Sequence, residues 1–119
     1  MLSEDTIKIR TLNDRFRQGD VTVPGEVYIT QAVQALAEEG VNCSARDTAE
    51  LVAIVRNYGA FTSESDPHGE HDFGYFQYKG ETCFWKIDTY DHALKHAAPD
   101  PTNPKLSKRV LTIMLASEY

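Results

Sequence analysis

The chain has 119 residues, 41% hydrophobic and 25% charged, with a formal net charge of −6; this is ordinary globular usage and argues against disorder, a fibrous repeat or two separate cores. From Ser63 to Asp100, eight acids (Glu64, Asp66, Glu70, Asp72, Glu81, Asp88, Asp91, Asp100) stand against three lysines (Lys79, Lys86, Lys95). Direct binding of that segment to a phosphate backbone is therefore not expected, whereas a basic protein partner or a cation suits it.

Ser3 and Asp5 are candidate caps for an amphipathic helix to about Gln18, with Ile9, Leu12 and Phe16 on its apolar stripe and Gly19 as its stop. Its other face carries Arg10, Asp14, Arg15 and Arg17, which are expected to be solvated. Val21–Val23 and Glu26–Ile29 read as short extended pieces around a Pro24-Gly25 turn. Thr30 looks like the N-cap of a helix from Gln31 to about Glu39, with Val33, Leu36 and Ala37 on one side and Gly40 at its end. Ser44 or Asp47 then opens a third helix to about Tyr58, burying Leu51, Ile54 and Val55, with Gly59 as terminator.

Thr62 to Gly69 is polar and turn-rich, hence a surface loop. Phe73–Tyr78 and Thr82–Asp88 are the strongest strand candidates, joined at Lys79-Gly80. A two-residue turn sets Tyr78 opposite Glu81, Phe76 opposite Cys83, Gly74 opposite Trp85 and Asp72 opposite Ile87, and Gly74 leaves room for the indole. One face then holds Phe76, Cys83, Trp85 and Ile87, and the other Tyr75 and Phe84. His92–Ala98 reads as a helical turn before the loop imposed by Pro99, Pro101 and Pro104. Val110–Ala116 fits either a helix or a strand; its β-branched content and the basic Lys108-Arg109 start favour a strand completing the sheet. The expected fold is α+β: three N-terminal helices packed on a small antiparallel sheet built around the 73–88 hairpin, in a single domain spanning 1–119.

Cys43 and Cys83 lack Cys-x-x-Cys spacing, which excludes a zinc ribbon or thioredoxin-type motif, and both are expected to be reduced and at least partly buried. No apolar run approaches the roughly 18 residues of a spanning helix. The start, Met1-Leu2-Ser3-Glu4-Asp5, has no signal-peptide pattern, so a cytoplasmic location is expected.

Three motifs occur in order: Glu70-His71-Asp72-Phe73-Gly74; Phe84-Trp85-Lys86-Ile87-Asp88 with Tyr90-Asp91; and Arg109-Val110-Leu111-Thr112-Ile113-Met114-Leu115-Ala116 with Glu118-Tyr119. Together with Leu12-Asn13-Asp14-Arg15-Phe16-Arg17, they resemble an uncharacterised bacterial domain-of-unknown-function family often carried on plasmids and other mobile elements. The chain departs from that pattern at His68, where an aromatic residue is usual, at Thr89, where a tyrosine is usual, and around Lys95–Ala98. The resemblance implies no established activity, but it directs any shared site to Glu70, His71, Asp72, Lys86, Asp88, Tyr90, Asp91 and Arg109.

Two functional classes follow. In the first, Glu70, His71, Asp72, Asp88, Tyr90, Asp91 and Arg109 form a surface engaging a protein partner, without a cofactor. Mobile-element carriage would make anti-restriction or anti-CRISPR inhibition plausible, an acidic surface occupying the basic groove of a nucleic-acid-binding host enzyme. In the second, His71 meets Asp88 at the open end of the hairpin, and His71, Asp72, Asp88 and Asp91 hold a divalent metal for a hydrolase or nuclease. The bland alternative to that constellation is a His71–Asp88 hydrogen bond, with Asp66 or Asp72 capping turn amides. Neither a His-Glu-x-x-His helix nor an Asp-x-Asp calcium loop supports the metal.

Overall fold

The computed structural model describes residues 2–37 and 45–119. Helix α1 spans Glu4–Arg17, with Ser3 Oγ accepting from the Thr6 amide, Glu4 and Asp5 in the first turn and Arg15 and Arg17 in the last, an arrangement that suits the helix dipole. Gly19, at φ +94°, ends it. Asp20 then fastens the exit: it accepts from the Arg15 Nε and from the Thr22 amide and hydroxyl, and these bonds, the Thr22 ones first, hold its carboxyl down at about 2. Residues 21–23 consequently form a turn rather than an extended piece. The expected Pro24-Gly25 turn is also absent, because Gly25 already lies in strand β1 (Gly25–Ile29). A Cβ there would fall 2.3 Å from the Phe16 ring, so α1 and β1 pack backbone to ring.

Thr30 caps α2 (Gln31–Ala37) through a bond from the Val33 amide. The expected end at Gly40, the Ser44 cap and Cys43 lie outside the described residues. Helix α3 spans Ala45–Arg56, burying Leu51 and Val55 with Ile54 partly covered. Gly59 does not end it in the left-handed conformation, since it is not among the residues with positive φ.

Strands β2 (Phe73–Tyr78) and β3 (Glu81–Tyr90) pair as the two-residue turn requires: Tyr78 with Glu81, Phe76 with Cys83 and Gly74 with Trp85. Lys79 (φ +50°) and Gly80 (φ +81°) supply the two positive dihedrals of a type I′ hairpin turn. The Ile87 amide donates to the Asp72 carbonyl, which carries the register one step further. Strand β4 (Lys108–Leu115) settles the ambiguous tail as extended, and a 3-10 turn, Ala116–Glu118, follows.

The sheet order is β1-β4-β3-β2, with β4 antiparallel to β3 and parallel to β1. Two corrections follow. The sheet is mixed, because β1 joins it in the same direction as β4; and only α1 precedes the first strand, since β1 lies between α1 and α2. The expected helical turn at 92–98 is an irregular loop as well. Asp91 caps it by accepting from the Lys95 amide, Leu94 sits at φ +58°, and the Ala98 amide returns to the Thr89 carbonyl.

All three helices pack on one face of the sheet. Leu12 and Phe16, Val33 and Leu36, and Leu51 and Val55 join Phe76, Tyr78, Cys83, Trp85, Ile87, Leu111 and Ile113 in one core. Each large apolar side chain withdrawn from water contributes about 1.5–3 kcal/mol. Trp85 lies at the centre, fully buried, with Tyr58 and Phe61 edge-on at 5.4 and 6.0 Å. Cys83, also fully buried, is a free thiol whose pKa burial raises.

A methyl on Gly74 would stand 2.4 Å from the Trp85 Nε1 and 2.7 Å from the Tyr58 Cε1. Gly74→Ala is therefore expected to destabilise by about 1–3 kcal/mol in urea unfolding; an unchanged midpoint would show that the indole is not seated over this glycine.

Candidate functional site

Seven residues were candidates for one surface, and the fold distributes them over three environments. Arg109 is in none of the exposed ones. It is completely buried on the helix-covered face of β4, where Nε donates to Asn13 Oδ1 at 2.6 Å, Nη1 to Ser107 Oγ at 3.3 Å and Nη2 to the Pro101 carbonyl at 2.7 Å. Every acceptor is neutral. Desolvation pulls its pKa down to about 10, so the guanidinium is charged at neutral pH and held by hydrogen bonds alone. Asn13 extends the tie by donating from Nδ2 to the Glu70 carbonyl at 2.9 Å. One buried cation thus joins α1, β4, the proline loop and the approach to β2, and its place in the surface is corrected to an internal tether.

His71 is also turned inward, and the expected His71–Asp88 meeting does not occur. At φ +53° the chain twists just before β2, and the imidazole stacks on Phe61 with centroids 3.8 Å apart and planes 2° from parallel. Its Nδ1 reaches both Asp14 oxygens, at 2.9 and 3.0 Å, and its Nε2 lies 3.7 Å from Asp66 Oδ2. Asp66, itself buried, accepts from the His71 amide, which is the expected turn-capping role. Asp14 also pairs with Arg17 at 3.0 Å, and Arg17 is buried rather than solvated, with Cζ over the Trp85 and Phe61 rings at 5.2 and 5.4 Å. Burial lowers the Arg17 pKa against the opposing pull of Asp14.

Asp88 belongs to the other side of the sheet, where it pairs with Lys86 Nζ at 2.8 Å; that bond raises the lysine pKa. Asp91 is spent on its own loop, and its bond from the Lys95 amide holds its carboxyl down. Tyr90 ends β3, paired in register with Lys108 and bridged to Ala97. The proposed quartet of His71, Asp72, Asp88 and Asp91 is therefore dispersed. Among the described residues, no three His, Cys, Asp or Glu side chains gather in a way that could hold a metal ion.

What does gather is a groove on the face that no described helix covers. About 580 Å³ in volume, it is bounded by Ser65 and Pro67 on one side and by Asp72, Phe73, Phe84, Lys86, Asp88 and Tyr119 on the other. Phe73, Phe84 and Tyr119 form an edge-to-face trio at 5.0, 5.5 and 6.0 Å. The same face continues across the sheet to Tyr75 and Tyr28, each about half exposed (52%). Its two lysines are both engaged: Lys86 with Asp88, and Lys108 with Glu26, which also accepts from the Tyr28 hydroxyl. Burial pushes the Asp72 carboxyl up, with Asp66 and Asp88 adding to the effect, and it pushes Glu70 up as well, helped by Asp72. The sequence pattern located Phe84 and Tyr75 on this face but missed Tyr119, whose only signal is an aromatic residue at the end of the third motif.

Fold and site together define a one-sided α+β protein, with helices on one face of a mixed sheet and an acidic, aromatic groove on the other. The chain belongs to the family described as protein of unknown function (DUF3768), which it matches over residues 29–118. No curated protein and no solved structure matches it. Asn13 and Asp14, the partners of Arg109 and His71, lie ahead of the matched segment.

A carboxyl whose folded pKa is raised keeps its proton to higher pH than in the unfolded chain, so its cost to stability appears as pH rises and is full at neutrality. Asp72→Asn should therefore raise the thermal midpoint at pH 7, with the gain shrinking as pH falls through the raised folded value and gone below the ordinary aspartate value of about 3.9. A pH-independent gain, or a loss at pH 7, would contradict the desolvated carboxylate.

Proposed function

We propose that this is a small acidic interaction protein of the cytoplasm that binds a basic, nucleic-acid-binding protein through the uncovered sheet face. The observation that carries the reading is the groove: aromatic rings lie open to solvent on a face whose lysines are already neutralised by Asp88 and Glu26. Exposed aromatic side chains are the usual anchors of protein interfaces, and they supply contact area at small conformational cost. The unpaired charge beside them is acidic, and the net charge of −6 adds a long-range field that steers towards a positive groove. Among the described residues no helix is long and apolar enough to cross a membrane. Inhibition of a restriction or CRISPR nuclease is the use we propose for such binding, on the resemblance to mobile-element proteins and on charge complementarity.

The test is affinity capture from host lysate at low and moderate salt, with duplex DNA as competitor. Wild-type protein should retain a DNA-binding protein that duplex DNA releases, and the double variant Tyr75→Ser, Asp88→Lys should lose it while keeping its far-UV circular dichroism. Capture that survives this variant, or no specific capture at either salt concentration, sinks the reading.

A further inference from the structure

The groove on the uncovered sheet face holds one carboxylate that nothing in the described fold answers. Asp88 has its counter-ion in Lys86 at 2.8 Å, while Asp91 and Asp66 accept from backbone amides of their own loops. Asp72, in the groove wall, accepts only from its own amide, and among the described residues no side chain hydrogen-bonds or pairs with it. It is half-buried, with Asp66 and Asp88 as like-charged neighbours and His68 opposing them. A carboxylate desolvated without a counter-ion is a cost to the free protein, and a cation brought to it relieves that cost.

Three rings share that wall. Phe73, Phe84 and Tyr119 pack edge-to-face and line the groove with Asp72, and its volume of about 580 Å³ has room for a long side chain entering from solvent. The two phenyl rings offer no hydrogen bond, so a guest must satisfy its polar rim on Asp72 and turn a face towards the rings. A guanidinium does both: its weakly hydrated plane stacks on aromatic faces, and its N–H fork fits a carboxylate. An ammonium, compact and strongly hydrated, would leave donors unsatisfied against the phenyl rings. The chain itself contains the same arrangement, with the Arg17 guanidinium over the Trp85 and Phe61 rings and bonded to Asp14 at 3.0 Å. Lys86, the lysine of the groove, stays with Asp88 and is not among the charges acting on Asp72.

We propose that the groove takes an arginine side chain of the partner protein, its guanidinium on the Asp72 carboxylate and its plane against Phe73, Phe84 and Tyr119. The inference rests on the sheet face being the binding surface, and it narrows that surface to one anchoring pocket and one residue type. It also gives a reason for an aspartate that weakens the free fold, since its charge is answered in the complex.

The experiment is a nuclear magnetic resonance titration of the full chain with the peptide acetyl-Gly-Arg-Gly-amide. The same peptide with citrulline, which keeps the shape and loses the charge, and with lysine are the controls. The arginine peptide should shift the amide signals of Asp72, Phe84 and Tyr119 saturably. Citrulline should bind at least about tenfold more weakly, the loss expected for a charge-assisted bond, and lysine more weakly than arginine. Asp72→Asn should be more stable than the wild type yet bind the arginine peptide about tenfold more weakly, which separates a lost contact from a lost fold. No saturable shift at these residues, citrulline or lysine binding as well as arginine, or unchanged affinity in Asp72→Asn overturns the proposal. The two readings fail separately. Capture from lysate that persists in Asp72→Asn, with no binding of the arginine peptide, keeps the interaction protein and removes the pocket; Asp72-dependent peptide binding with no captured protein does the reverse.

Discussion

The tertiary structure hangs on the burial of Arg109. A guanidinium taken wholly out of water costs several kcal/mol, and here no carboxylate repays it; three neutral oxygens from Asn13, Ser107 and Pro101 do. Because those oxygens come from a helix, a strand approach and an irregular loop, the cation can be satisfied only when all three are in place. Asn13 then hands the constraint on to the Glu70 carbonyl, which fixes how the chain enters the hairpin. The proline loop and the 66–71 turn, with little regular structure of their own, are ordered through this tie.

A second polar knot lies next to it. His71, stacked on Phe61, shares Asp14 with Arg17, and Arg17 covers Trp85 with its cationic plane. This places a strip of buried charge between α1 and the sheet where a purely apolar contact would have been cheaper. Its consequence is directional: polar groups in low dielectric must meet particular partners, so α1 has one rotation and one depth at which it can pack. Among the described residues the face beyond the sheet carries no such knot, and its rings and paired charges lie towards solvent.

The hairpin was legible because its determinants are local. Lys79-Gly80 can adopt the two positive dihedrals, alternation sorts Phe76, Cys83, Trp85 and Ile87 from Tyr75 and Phe84, and Gly74 makes space for one indole. The tail was only partly legible: its apolar spacing also fits a helix stripe, and β-branched residues after a basic start tip the balance to the strand that forms. The α1 cap and the Gly19 stop were equally readable. The candidate site was not: His71 and Asp88 are neighbours in an extended hairpin, but the left-handed residue at His71 turns that side chain to the opposite side. Gly25 was misread as a turn because Pro-Gly is a turn signal in isolation, and only the Phe16 ring explains why a glycine is needed in a strand.

Amino-acid order alone thus determined the course of α1, α3 and the hairpin, which hairpin residues share a face, and that the chain carries excess acid around that aromatic hairpin. All of these depend on spacings of a few residues, for which backbone propensity and side-chain alternation suffice. Tertiary structure decided that β1 runs parallel to β4, that Arg17 and Arg109 are interior, and that the carboxylate meeting His71 is Asp14. The His71–Asp14 and Arg109–Asn13 bonds link residues 57 and 96 positions apart, and their energy comes from desolvated hydrogen bonds that exist only after the helices have closed over the sheet.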